Sequence, residues 1–135
     1  MKAIPTVSKY MSTSPVSIGP AQSLATAHKL LREHEIRHLP VLDGGRLVGL
    51  LTSRDMYLVE AFETIDAEAT KVADVMSSNV YATSPDAPLD DVCAEMAEFK
   101  YGSAVVVQNQ KVVGIFTTVD VCRAMTDLLR TRLAK

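Results

Sequence analysis

Cysteine is scarce: Cys93 and Cys122 are the only two in 135 residues. They lack C-x-x-C spacing, and each falls inside an apolar helical pattern. They therefore read as reduced packing residues, and no disulfide is expected. Charge of one sign is scarce too. The 14 Lys and Arg are scattered among 16 Asp and Glu, for a formal net charge of −2, so no basic stripe exists for a nucleic-acid backbone to follow. Long apolar runs are also missing. No stretch approaches the ~18 apolar residues of a membrane span, and the opening "MKAIPTVSKYMSTS" has nothing like the apolar core of a signal peptide. The expectation is a cytoplasmic protein with no nucleic-acid partner and no membrane partner. Its length suits one ordinary domain with a real core, and is short for two independent ones.

What the chain does have is a copy of itself. Shifting it by 65 positions lays Gly49 on Gly114, Thr52 on Thr117 and Asp55 on Asp120, so that "GLLTSRD" returns as "GIFTTVD". Upstream, Met11-Ser12 falls on Met76-Ser77, Pro20 on Pro85, Leu24 on Leu89, Glu33 on Glu98 and Val41 on Val106. This is the signature of two copies of one supersecondary unit.

Each copy carries the same order of local signals. In the first, Val16-Ser17-Ile18 is a short extended run ended by Gly19-Pro20, and Leu24, Ala27, Leu30 and Leu31 then recur at helical spacing. In the second, Leu89, Val92, Met96 and Phe99 form that face, with Asp86 read as the N-cap and Pro88 in the first turn. A hairpin follows in each: "HLPVL" and "RLVGLLT" flank Asp43-Gly44-Gly45, while "SAVVV" and "KVVGIFT" flank Gln108-Asn109-Gln110. Each hairpin runs into a second helix, with Val59 and Phe62 on the apolar face of one and Met125, Leu128, Leu129 and Leu133 on that of the other. The expected class is α/β, with two β-α-β-β-α repeats packed about a pseudo-twofold axis. Residues 1–62 form repeat 1, residues 63–71 a surface linker, and residues 72–135 repeat 2 with its C-terminal helix. Such an axis generates two related clefts between the copies.

In the frame G-h-h-T-x-x-D the glycine lets another group approach the backbone, and the apolar pair anchors the strand. Thr52 and Asp55, three apart, then share the first turn of a helix whose leading N–H groups are free. A hydroxyl, free amides and a carboxylate suit a ligand with both a phosphate and a diol, and a ribonucleotide has both. The same spacing is also that of a plain helix cap with an acidic first turn, and two related helices need two related caps.

"HEIRH" at residues 34–38 matches the zinc signature H-E-x-x-H, in which two histidines one helical turn apart bind the metal. His38, however, lies two residues before Pro40, so a helix should end within the motif. No third ligand stands out, and no metal site is expected. Nothing orients a base against a nucleophile either, so no catalytic residues are assigned and an enzyme is not expected.

The full pattern, from "VSKYMSTSPVSIGPAQSLATAHKLLREHEIRHLPVLDGGRLVGLLTSRD" to "VADVMSSNVYATSPDAPLDDVCAEMAEFKYGSAVVVQNQKVVGIFTTVD", resembles the CBS (cystathionine β-synthase) domain family in its tandem arrangement, the Bateman module. The resemblance covers nearly the whole chain. It implies that an adenosine-containing ligand, AMP, ADP, ATP or S-adenosylmethionine, binds in the clefts as a regulatory ligand, with no cofactor required and Mg²⁺ a companion only to ATP. By position, Asp55 and Asp120 would hold ribose hydroxyls, with Thr52 and Thr117 near ribose or phosphate. Ile18, Thr83, Ile36 and Tyr101 fall where the family lines its adenine pocket. Arg37 and His38 fall where some members place basic residues on phosphate, and Arg54 adds a charge beside them. The matching Gly102, Ser103 and Val119 are uncharged, so the two sites should be unequal. The resemblance further implies a homodimer and a stand-alone module that signals occupancy to an unknown regulated protein. The alternative is a protein–protein interaction module with degenerate clefts.

Overall fold

The computed structural model describes residues 3–62 and 64–133, without the side chains of Phe62 and Leu133, so the expectations for those two lie outside the described residues. In chain order the elements are β1 (Ser12–Thr13), α1 (Leu24–His34), β2 (His38–Asp43), β3 (Arg46–Thr52), α2 (Ser53–Phe62), β4 (Ala82–Thr83), α3 (Leu89–Phe99), β5 (Ser103–Gln108), β6 (Lys111–Thr117) and α4 (Thr118–Leu128). Single 3-10 turns at Val7–Lys9 and Val72–Asp74 precede each copy, and α4 runs on into a π turn at Leu129–Leu133. The class is α/β with two repeats, as the sequence predicts.

The hairpins close with two residues each, because Asp43 pairs with Arg46 and Gln108 with Lys111. Both loop residues have positive φ in each hairpin: Gly44 (59°) and Gly45 (83°), then Asn109 (52°) and Gln110 (65°). Primed turns of this kind match the strand twist and want glycine or asparagine, which makes Gln110 the strained member.

The 65-residue shift holds in three dimensions. In the second copy a four-stranded sheet runs β1-β6-β5-β4, with Ser12 opposite Ile115 and Thr83 in parallel opposite Val106. In the first copy β2 and β3 are flanked by single bridges, Ser77 to Leu50 and Ile18 to Val41, at the same shifted positions. Even the strand irregularity recurs, after Val41 and after Val106.

Sequence repeats and spatial units divide the chain differently. One compact unit is Met1–Ser14 with Tyr81–Lys135, and the other is Pro15–Val80; below, these are the second-copy and first-copy units. Each therefore takes its leading 3-10 turn from the other repeat. Val7 is fully buried in the second-copy core, with its amide on Ala87 O (2.9 Å) and the Leu89 amide on Pro5 O (2.9 Å). Val72 does the same in the first-copy core, its amide on Gln22 O (2.8 Å) and the Leu24 amide on Thr70 O (3.0 Å). Sealing such a valine is worth ~1.5–3 kcal/mol. Within 63–71, the Ala67 carbonyl accepts from Ala25 N (2.9 Å), and Ile65 and Ala67 pack on the first-copy core, so the later part of this stretch seals the start of α1.

Several helix faces differ from the sequence pattern. Leu24, Ala27 and Leu31 of α1 and Leu89, Val92 and Met96 of α3 are buried as expected, but Phe99 is 55% exposed. In α2 the buried anchor is Met56. In α4 it is Ala124, with Val121 and Leu128 packed beside it, while Met125 (55%) and Leu129 (46%) face outward. The helix presents the smaller side chains to its sheet. α3 starts at Leu89 with Pro88 at the N-cap, two residues later than an Asp86 cap would allow. Cys93 is half-buried beside the core whereas Cys122 is exposed, so only Cys93 acts in packing.

Candidate functional site

In the first-copy unit the end of the β2–β3 ladder and the start of α2 form one corner. His38 pairs directly with Thr52, and the Arg37 carbonyl accepts from Ser53 N (3.0 Å). The helix start is capped reciprocally: Asp55 N donates to Thr52 Oγ1 (3.1 Å), and Thr52 N donates to Asp55 Oδ2 (3.2 Å). The plain capping reading of T-x-x-D is thus correct as far as it goes. Asp55 remains half-buried, and among the described residues its only donor is Thr52 N, which leaves carboxylate capacity for further donors.

Arg37 and Arg54 stand exposed at this corner, and neither has an acidic partner among the described residues. The His38 imidazole is pushed below its ordinary pKa, first by burial and then by the Arg37 charge, with Asp55 pulling the other way. It is therefore a neutral group at neutral pH. Ile36 is half-buried at the same end. Ile18 is set apart from this end, three positions along at Val41. Its side chain is buried, its amide is on Pro40 O (3.0 Å) and its carbonyl accepts from Leu42 N (2.9 Å).

The matching corner of the second-copy unit is built differently from the same heptad. Asp120 is 2% exposed and accepts from Thr117 N (2.9 Å), Thr117 Oγ1 (3.2 Å), Ser12 Oγ (3.2 Å) and Arg123 Nη1 (3.2 Å). Its oxygens are already engaged. Ser103, opposite Thr117 in the ladder, is 5% exposed, and its hydroxyl has no partner among the described residues. Tyr101 stacks between Tyr81 (centroids 5.1 Å apart) and Phe99 (5.6 Å), and Thr83 is half-buried on β4.

Sequence reasoning did not find Ser12 and Arg123 on Asp120, the orphaned Ser103 hydroxyl, or the Tyr81–Tyr101–Phe99 stack. The aromatic spacing at the starts of β4 and β5 was the available signal for the last. "HEIRH" is split by the fold: His34 ends α1, Glu35 turns left-handed (φ 53°), and His38 opens β2. No three His, Cys, Asp or Glu residues converge on a metal position among the described residues. No described helix is long and apolar enough to cross a membrane.

Two β-α-β-β-α repeats whose strand-to-helix corners repeat a Thr-x-x-Asp cap define an α/β tandem-repeat module. The chain belongs to the CBS domain family, whose profile matches residues 7–61 and 72–127. It is similar in structure to a Vibrio cholerae protein described as acetoin utilization protein AcuB (TM-score 0.87, 26% identity, 98% of each chain). It is also similar to the CBS domain pair of protein MJ0100, solved with 5′-methylthioadenosine and S-adenosyl-L-methionine (TM-score 0.83, 31% identity, 93% of this chain and 98% of that one). A relative in sequence is the L-aspartate semialdehyde sulfurtransferase of Methanocaldococcus jannaschii, 31% identical over 87% of this chain; the chain spans only 22% of that protein's length.

Proposed function

We propose that this CBS pair is a regulatory module that binds an adenosine-containing ligand, AMP, ADP, ATP or S-adenosylmethionine, at the Thr52–Asp55 corner. The observation that carries the reading is Asp55: a half-buried carboxylate with spare acceptor capacity at a capped helix start, beside Arg37 and Arg54, which have no acidic partner among the described residues. Asp55 would accept from ribose hydroxyls and the arginines would meet phosphate, with Mg²⁺ accompanying a triphosphate only. The adenosyl ligands of the MJ0100 pair support the ligand class. Ile36 remains the proposed lining for adenine at this corner and Tyr101 at the matching corner of the second-copy unit, whereas Ile18 would contribute only through the strand it completes.

Occupancy acts on function only through differential affinity for two states of the module. Self-association supplies one such state. Val119, Met125 and Leu129 are large apolar residues exposed on α4 and its extension, which suits a homodimer, and closed twofold pairs are the commonest oligomers. On this reading the protein works in the cytoplasm, regulates a protein partner and catalyses nothing itself.

Titration calorimetry with Asp55→Ala and Asp120→Ala tests the site. Loss of adenosyl binding in Asp55→Ala, with the fold intact, supports it. An unchanged affinity in that variant removes the site. The engaged oxygens of Asp120 favour the docking-module alternative for the second corner, and that alternative takes over the whole chain if the parent protein binds no adenosyl compound.

A further inference from the structure

We propose that the α3 face of the second-copy unit is a docking surface for a basic segment of a partner protein, anchored by an arginine side chain. The proposal deepens the docking reading of the second corner and does not depend on the adenosyl reading of the first.

α3 carries charge of one sign. Its residues LDDVCAEMAEF include Asp90, Asp91, Glu95 and Glu98 and no Lys or Arg. All four acids are exposed, and none has a cationic partner among the described residues, Lys100 at the C-cap included. The helix gains little from them. Asp90 and Asp91 suit its positive start, but Glu98 lies in the last turn, where negative charge is unfavourable. Asp91 and Glu95 at i,i+4, and Glu95 and Glu98 at i,i+3, repel each other. A cation laid along this face relieves that repulsion.

The acidic stripe ends on an aromatic platform. Tyr101 stacks between Tyr81 and Phe99 with interplanar angles of 20° and 23°, and the outer ring, Phe99, is 55% exposed. Glu95 lies one helical turn before Phe99 and Asp91 a turn before that, so the three share one side of α3. The Tyr81 hydroxyl is pushed above its ordinary pKa, first by burial and next by the charge of Glu95, with Asp91 adding to it. The two carboxylates therefore lie beside the ring stack.

An open ring at the end of a stack can take a further planar group, and the carboxylates decide which. A nucleobase would bring its phosphates against four negative charges. A guanidinium stacks on the ring while its fork meets a carboxylate, whereas an ammonium has neither a flat face nor a fork.

The first copy supplies an internal control. It carries Ala25, Thr26 and Leu30 in place of Asp90, Asp91 and Glu95, and Val16, His34 and Ile36 in place of the three aromatic residues. Its Glu33, the counterpart of Glu98, is paired with Lys29. Acids and rings occur together in one copy and are missing together from the other, as expected if they serve one partner.

The test is fluorescence anisotropy of labelled nona-arginine and nona-lysine peptides with the full chain at low ionic strength. Nona-arginine should bind tighter by about two- to fivefold. Phe99→Leu, which keeps the apolar bulk, should remove that preference and Phe99→Tyr should keep it. Asp91→Asn with Glu95→Gln should weaken both peptides by about fivefold, whereas Glu33→Gln with Glu68→Gln, the same charge removed from exposed acids elsewhere, should leave both unchanged. No arginine preference, a preference that survives Phe99→Leu, or equal weakening by the two double variants overturns the proposal. So does self-association in sedimentation that the Asp91→Asn, Glu95→Gln variant abolishes, since the occupant of the face is then a second copy of this chain. Adenosyl binding at the Asp55 corner should be the same in every variant; its absence from the parent chain beside Phe99-dependent arginine binding removes the sensor and keeps the docking face.

Discussion

Met76 occupies the space that a side chain on Gly49 would need: a Cβ there would lie 2.5 Å from Met76 Sδ and 3.0 Å from the Ser77 carbonyl. Met11 stands over Gly114 in the same way, with Sδ at 2.5 Å. The glycine of the repeated heptad thus admits the Met-Ser pair of the segment that completes each unit.

Gly49→Ala should destabilise by ~1–3 kcal/mol through overpacking. Gly114→Ala should cost less, because the three nearest atoms it meets belong to the adaptable Met11 side chain, whereas one of the three nearest to Gly49 is backbone. Urea unfolding of both variants, and of Gly114→Ala combined with Met11→Ala, checks this. The double variant should recover part of the loss in m-independent midpoint.

Gln110→Gly should raise stability by ~0.5–1 kcal/mol. The left-handed conformation costs an ordinary residue ~1–2 kcal/mol, and glycine's own entropic cost cancels part of the gain. Gly45→Ala, at the matching position with φ 83°, should lose stability. Thermal melts of the two variants move in opposite directions if the turn geometry is as described.

The hairpins, the helices and the repeat were legible because their signals are local: paired loop residues, helical spacing and a fixed 65-residue shift. The exchange of the leading turns was not, since Val7 and Val72 look alike in sequence and only tertiary packing decides which core receives each. The two aspartates share one heptad, yet Asp55 stays open and Asp120 is enclosed. What differs is the use of the shared serine, since Ser12 donates to Asp120 while its counterpart Ser77 donates to Asn79 O, and the presence of Arg123, whose counterpart is Leu58. The outward turn of Met125 and Leu129 has the same origin: helical spacing marks an apolar stripe without saying which side meets the sheet.

Asp120→Ala should cost ~1.5–2.5 kcal/mol, since it removes a cap together with the bonds from Ser12, the half-buried Thr117 and Arg123. Asp55→Ala should cost only ~1 kcal/mol, the value of a cap. Chemical denaturation of the pair measures the difference, and equal losses would mean that the two corners are built alike.

Stability should fall as the solution is acidified below about pH 6.5, the ordinary histidine value. His38 has a folded-state pKa below its unfolded one, so through this window the unfolded chain binds the extra proton and the native state does not. The contribution is complete above pH 6.5 and is lost on descent towards the folded value. His38→Gln should flatten that part of the stability profile, as read from denaturation midpoints at a series of pH values.

The most direct test of adenosyl binding at the Asp55 corner is the melting curve of the full chain against graded AMP, ADP, ATP and S-adenosylmethionine, with and without Mg²⁺. A ligand that binds only the folded state adds RT ln(1 + [L]/Kd), about 2.7 kcal/mol at a hundredfold excess over Kd. A saturating rise in Tm with an adenine nucleotide, absent in Asp55→Ala, is the predicted result. A flat response to every adenosyl compound at millimolar concentration would contradict it.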